Sequence, residues 1–123
     1  VQEIWTQDFK IKLSIARALI RNPKVLIIDD VFSHMDASSI IEFKEKFSFL
    51  AKSRTVIVVA KHLYNLNMCN KLLFLDKNKV AQFGPTGQVL EEEGPAQELL
   101  KQQLKVISPH FEKDLVSVLR GLK

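Results

Sequence analysis

The sequence predicts an α/β fold built on a mostly parallel sheet, and three observations predict it. Two unalternated apolar runs, Val25-Leu26-Ile27-Ile28 and Thr55-Val56-Ile57-Val58-Val59-Ala60, have the length of strands. Such runs suit strands covered on both faces, as in a parallel sheet. Segments with helical spacing precede, separate and follow them, and Asn22-Pro23, Gly84-Pro85, Gly94-Pro95 and Ser108-Pro109 punctuate the chain. Strands that alternate with helices give an α/β layer architecture.

In chain order, Phe9 to Arg21 reads as a helix, with Ile11, Ile15, Ala18 and Leu19 on one stripe and Lys10, Lys12, Arg17 and Arg21 on polar faces. Thr6 suits its N-cap and Asp8 its positive N-terminal end, while Asn22-Pro23 stops it. The first strand ends in Asp29-Asp30. Asp36 then caps a second helix whose stripe is Ile40, Phe43, Phe47 and Leu50. After the second strand, a short amphipathic piece from Leu63 to Met68 leads to Leu72-Leu73-Phe74-Leu75. The polar turn Asp76-Lys77-Asn78-Lys79 returns the chain into Val80 to Phe83 as a hairpin. Two further helices follow, and a last one carries Phe111, Leu115, Val118 and Leu119. The sequence has no internal repeat and no low-complexity segment.

The 123 residues suffice for one domain, and 46% hydrophobic with 26% charged residues is ordinary globular composition. No apolar run approaches the length of a membrane span. Cys69 is the single cysteine, which excludes an internal disulfide and makes a packed thiol in a reducing compartment the simple reading. The net charge of +4 comes from scattered lysines, without the dense basic run or aromatic platform of a nucleic-acid binder. Val1-Gln2-Glu3-Ile4 has neither an initiator Met nor a signal-peptide pattern and reads as a cut inside a longer protein.

In open α/β sheets ligands gather at the carboxyl ends of strands. Two strands here end in polar residues, Asp29-Asp30 and Lys61-His62. Buried strands must exit somewhere, so polar residues at their ends are by themselves modest evidence. An acidic pair suits magnesium, a hard ion that takes oxygen ligands, with the second carboxylate positioning a water. His34, Tyr64 and His110 have no evident partners and read as structural.

The order of pieces says more. Leu13-Ser14-Ile15-Ala16-Arg17-Ala18-Leu19, then Arg21-Asn22-Pro23-Lys24, the strand to Asp29-Asp30, and Ser33-His34-Met35-Asp36 resemble the ATP-binding-cassette ATPases, in which an IARAL helix, an NPK turn, a Walker B strand and a SALD loop follow in this order. Arg54 to Leu63 is similar to that family's switch-histidine segment, and Leu72 to Leu90 to its ending. The resemblance covers residues 1–103 and implies the C-terminal part of a P-loop NTPase-like domain that is incomplete on its N-terminal side. Residues 104–123 form a helical extension beyond it.

By that resemblance, Asp29 is the Walker B carboxylate that holds magnesium through its water shell. Asp30 occupies the catalytic glutamate position, one methylene short. Lys61 falls at the switch-histidine position, with His62 one place later. Asp36 matches the loop that faces a partner ATPase. Thr6, Gln7 and Asp8 fall in the signature that closes over ATP, where only a hydroxyl is kept and both glycines are replaced; no cation near Asp8 is evident to offset its charge there. The phosphate-binding loop is absent, and Gly84, Gly87, Gly94 and Gly121 do not form a substitute. The resemblance thus implies ATP and magnesium as cofactors. It also implies a second ATPase domain and a transmembrane domain as partners, no nucleic acid, and a place on the cytoplasmic face of a membrane. The role would be to couple ATP binding and hydrolysis to export of a substrate across a membrane, with a weakened or inactive ATP site in this chain.

Three other readings compete. A non-transport ATPase of the same family and a non-hydrolysing structural subunit share most of these features. A phospho-accepting receiver domain would also start from an apolar strand with paired aspartates, and Asp76 could stand for its phosphorylated residue. In a receiver, however, that first strand would not follow a long helix, and Asp76 leads into a tight turn.

Overall fold

The computed structural model describes residues 5–108 and 110–121. The chain divides into two compact units, Val1–Lys61 and His62–Lys123.

The first unit contains helix α1 (Gln7–Ile20), strand β1 (Val25–Asp29), a 3-10 turn (Val31–His34), helix α2 (Ala37–Ala51) and strand β2 (Thr55–Val59). Asn22 adopts left-handed backbone (φ 46°) just past α1, a conformation asparagine tolerates at helix ends, and its N–H donates to the Leu19 carbonyl at 2.9 Å. Helix α2 is the crossover that allows β1 and β2 to pair in parallel, with Val25 opposite Thr55 and Asp29 opposite Val59. One backbone bond extends the ladder at each end, Thr55 N–H to Lys24 C=O at 2.9 Å and Asp30 N–H to Val59 C=O at 2.7 Å. Arg54 closes the entry side: its guanidinium donates to the carbonyls of Pro23 (3.2 Å) and Leu50 (3.3 Å) and to Asn22 Oδ1 (3.4 Å). It thereby satisfies a C-terminal carbonyl of α2 that would otherwise lack a partner.

The core of this unit is Leu26 and Ile28 from β1, Phe32, and Phe43, Phe47 and Leu50 from α2. Phe32 and Phe43 meet edge to face at 5.4 Å, a geometry that aromatic quadrupoles favour. Of the expected α2 stripe, Ile40 is half-buried and Ser39 is buried in its place at the first turn.

The strands differ from expectation in one respect. Their unalternated apolar sequences suggest cover on both faces, yet burial alternates along β1, and Val25 and Ile27 are 53% and 65% exposed. Ile57 and Val59 of β2 are similarly open. Only one face of the pair is packed by the described residues, so the second apolar face has no covering layer there.

The second unit begins with a 3-10 turn (Leu63–Asn65), followed by the antiparallel hairpin β3 (Lys71–Asp76) and β4 (Lys79–Pro85). Lys77 and Asn78 both have positive φ (48° and 60°), as a two-residue turn matched to the strand twist requires. Helices α3 (Thr86–Glu91), α4 (Pro95–Ile107) and α5 (Phe111–Gly121) complete it. Ala96, Leu100 and Leu104, four residues apart, bury one stripe of α4 with Leu63, Leu66, Leu72, Val89 and Leu90. The Gln82 side chain accepts from the Ala96 N–H at 2.9 Å and so caps α4 from β4. Gly94 makes room for it, since a Cβ there would lie 2.9 Å from Gln82 Nε2. The described sheets are therefore one parallel pair and one antiparallel pair.

Leu100 has no exposed surface, so Leu100→Ala removes buried methyl groups and leaves a cavity. It is expected to destabilise the protein by about 2–5 kcal/mol, read as a lower midpoint in chemical denaturation.

Candidate functional site

The C-terminal ends of β1 and β2 bring Asp30 and Lys61 together, with Asp29 beside them, while Thr6, Gln7, Asp8 and Asp36 lie at the helix starts. Asp29 is the last residue of β1 and lies on its open face with Val25 and Ile27. Asp30 follows in left-handed backbone (φ 49°, ψ 39°) at the start of the 3-10 turn. Aspartate enters that region more readily than most residues because its short carboxylate bonds locally. Here it does: Ser33 Oγ donates to Asp30 Oδ1 at 2.7 Å. The other oxygen, Oδ2, lies 3.2 Å from Lys61 Nζ, two residues beyond the end of β2. The Ser33 hydroxyl most of all, with help from the Lys61 ammonium, holds the Asp30 carboxyl below the usual aspartate range, although burial pulls the other way. Lys61 is 72% exposed, so its ion pair is a screened surface contact of modest strength.

Asp36 is the N-cap of α2. Its Oδ1 accepts from the Ser39 N–H and from Ser38 Oγ, both at 2.8 Å. These bonds lower its pKa, the Ser39 backbone most. Thr6 is the N-cap of α1, its hydroxyl oxygen accepting from the Phe9 N–H at 3.2 Å. Gln7 and Asp8 form the first turn of that helix.

The expectation that no cation offsets Asp8 is overturned. Lys12, one turn along α1, lies 3.2 Å from Asp8 Oδ2 and also reaches Glu42 of α2 at 3.4 Å. The signal was in the sequence, because an acid followed four residues later by lysine on a helix forms this pair. Asp8 Oδ1 is buried without a hydrogen-bond partner among the described residues. The bonds from Ser33, Ser38 and Ser39 add partners that the motifs alone do not specify, although serines two or three residues after an aspartate are a usual turn and cap signal. Tyr64, read as partnerless, stacks on His62 with ring centres 5.3 Å apart.

The residues present match only part of a magnesium and triphosphate site. Magnesium is commonly held by one or two carboxylates, with waters and phosphates supplying the rest, and Asp29 suits one such position. The described residues contain no group of three or more His, Cys, Asp or Glu able to hold an ion by themselves. A groove of about 330 Å³ between α1 and β1 is walled mainly by Ile11, Ile15, Ala18 and Ile27, with Lys10 and Asp29 among its polar groups. Such a lining does not cradle phosphates. The 123 residues include no G-x-x-x-x-G-K-[ST] loop. The fit is therefore to one metal-binding carboxylate and not to a complete MgATP site.

A parallel strand pair with carboxylates at its C-terminal end and flanking helices is the arrangement of an incomplete P-loop NTPase-like α/β domain. Comparison with known proteins makes this specific. The chain is 32% identical over 95 residues to an uncharacterized ABC transporter ATP-binding protein of Sinorhizobium fredii, covering 77% of this chain and 16% of that protein. It is 35% identical over 94 residues to the ABC multidrug transporter MDR1 of Cryptococcus neoformans, covering 76% and 7%. A solved structure of a bacterial Atm1-family ABC exporter with ATP bound superposes with a TM-score of 0.70 at 28% identity, over 76% of this chain and 17% of that one. No family model matches. The chain belongs to the ATP-binding-cassette exporters' ATP-binding proteins, over about three quarters of its length, and it spans about a sixth or less of the relatives cited here. No helix among the described residues is long and apolar enough to cross a membrane.

The lowered pKa of Asp36 has a definite sign. A carboxyl held lower in the folded state adds stability above its ordinary value of 3.8 and loses it as pH falls below that value. Asp36→Ala is expected to lower the denaturation midpoint at about pH 7 and to converge on the parent as pH falls well below 3.8 and the carboxyl protonates in both states, whereas Asp36→Asn keeps a cap. Circular dichroism across the acid limb checks both.

Proposed function

We propose that this chain is the part of an exporter's nucleotide-binding domain that carries the signature helix, the Walker B strand and the switch segment, with a weakened ATP site. Residues 1–103 would belong to that domain and residues 104–123 to a helical extension. A second ATPase domain and a transmembrane domain are the partners this reading requires, with the chain on the cytoplasmic face of a membrane. The observation that carries the reading is the strand-end cluster: Asp29 on the open face of β1, and Asp30 beside Lys61 where β2 exits, 3.2 Å apart. The relatives, a multidrug transporter and an Atm1-family exporter among them, favour transport over other uses of the fold.

In this reading Asp29 would supply one carboxylate to magnesium, which when bound would neutralise charge on the phosphates. Asp30 stands where a carboxylate would polarise the attacking water. Its oxygens are already engaged by Ser33 and Lys61, and its side chain is short, so alignment of a water is poor. Lys61 at the switch position brings a fixed positive charge and no neutral nitrogen able to accept a hydrogen bond. Thr6, Gln7 and Asp8 sit at the signature position. Thr6 and Asp8 are occupied in capping and pairing within α1, and neither Gln7 nor Asp8 allows the close backbone approach that glycine gives. Asp36, at the loop expected to face a partner, serves α2 as its cap.

Two outcomes test this. The 123-residue chain alone, lacking a phosphate loop, is expected to show no saturable MgATP binding below roughly millimolar concentration, since loop amides supply most phosphate contacts; submillimolar binding in calorimetry would contradict the assignment. In the complete transporter, Asp30→Glu combined with Lys61→His is expected to raise single-site turnover, by about tenfold or more if alignment is the defect. Unchanged turnover would place the defect elsewhere.

A further inference from the structure

We propose that Ser33 is a positioning residue for Asp30: together with Lys61 it grips both carboxylate oxygens and makes this side chain a tether rather than a base. The proposal rests on the reading above that Asp30 holds the water-polarising position, and adds to it that the side chain is sequestered as well as short.

The geometry carries the argument. The left-handed backbone at Asp30 turns the chain sharply out of β1, so that Ser33, three residues on, returns its hydroxyl to Oδ1 at 2.7 Å. The Asp30 N–H is already spent on the Val59 carbonyl at 2.7 Å, which fixes where the residue starts. Lys61, two residues past Val59, then meets Oδ2 at 3.2 Å. One residue is thus held from three directions, by the end of β2, by the residues after it, and by its own turn. The Asp30 side chain retains 25% exposure and Lys61 72%. The short Ser33 bond is therefore the stronger grip, and the exposed ammonium the weaker.

The test is carboxyl labelling of the purified protein by a water-soluble carbodiimide with an amine, with Asp29 and Asp30 resolved by fragment mass spectrometry. Asp29, adjacent and on the open face, is the internal reference. The parent is expected to label Asp30 more slowly than Asp29. Ser33→Ala should raise the Asp30-to-Asp29 ratio by about threefold or more, the lower end of what one hydrogen bond contributes. Lys61→Met should raise it less, and Ser33→Thr, which keeps the hydroxyl, should return it to the parent value. General loosening of the fold would speed both aspartates together. An unchanged ratio in Ser33→Ala, equal labelling in the parent, or failure of Ser33→Thr to restore the ratio would overturn the proposal. Absence of MgATP turnover in the complete transporter and all its variants would count against the ATPase reading alone, because the labelling ratio does not depend on nucleotide.

Discussion

The parallel pairing of Val25–Asp29 with Thr55–Val59 is the constraint from which the candidate site follows. Parallel ladders need a crossover between the strands, and here α2 supplies it. Its N-cap Asp36 fixes where it starts, and the Arg54 guanidinium ties its last turn to the entry of β1. Once Val25 lies opposite Thr55, Asp29 must lie opposite Val59. A one-residue slip would send every side chain to the other face. Asp30 and Lys61, 31 positions apart in sequence, become neighbours only through that register.

The same pairing leaves an apolar face of β1 and β2 open among the described residues. Val25, Ile27, Ile57 and Val59 carry the composition of strands buried on both sides, while their burial alternates. A chain that spans 16% of one relative and 7% of another is in keeping with a sheet whose sequence anticipates more cover than these residues provide.

The polar ends divide into residues that hold the fold and residues open to chemistry. Asp36, Thr6 and Asp8 are committed to helix starts and to an ion pair. Asp30 is committed to Ser33 and Lys61. Asp29 is the carboxylate of the group on the open face. Several of the side chains that the resemblance singles out have thus taken local structural partners.

By itself the sequence determined the element order, both helix caps at Thr6 and Asp36, the hairpin at Lys77-Asn78 and the family. Each of these depends on local patterns: periodicity, a capping residue, a turn pair, or motifs in linear order. What only the tertiary structure decided is which groups those residues meet. That Lys61 pairs with Asp30, that Ser33 engages the second oxygen, and that one face of the strands is open depend on contacts between distant segments or on backbone geometry such as the left-handed turn at Asp30. Lys12 beside Asp8 is the intermediate case: helical spacing predicts the pair, but its further reach to Glu42 exists only because α1 and α2 come together. Local propensity is written in neighbouring residues, whereas electrostatic partnership is set by distance in space, and the chain reveals that distance only once its strands are in register.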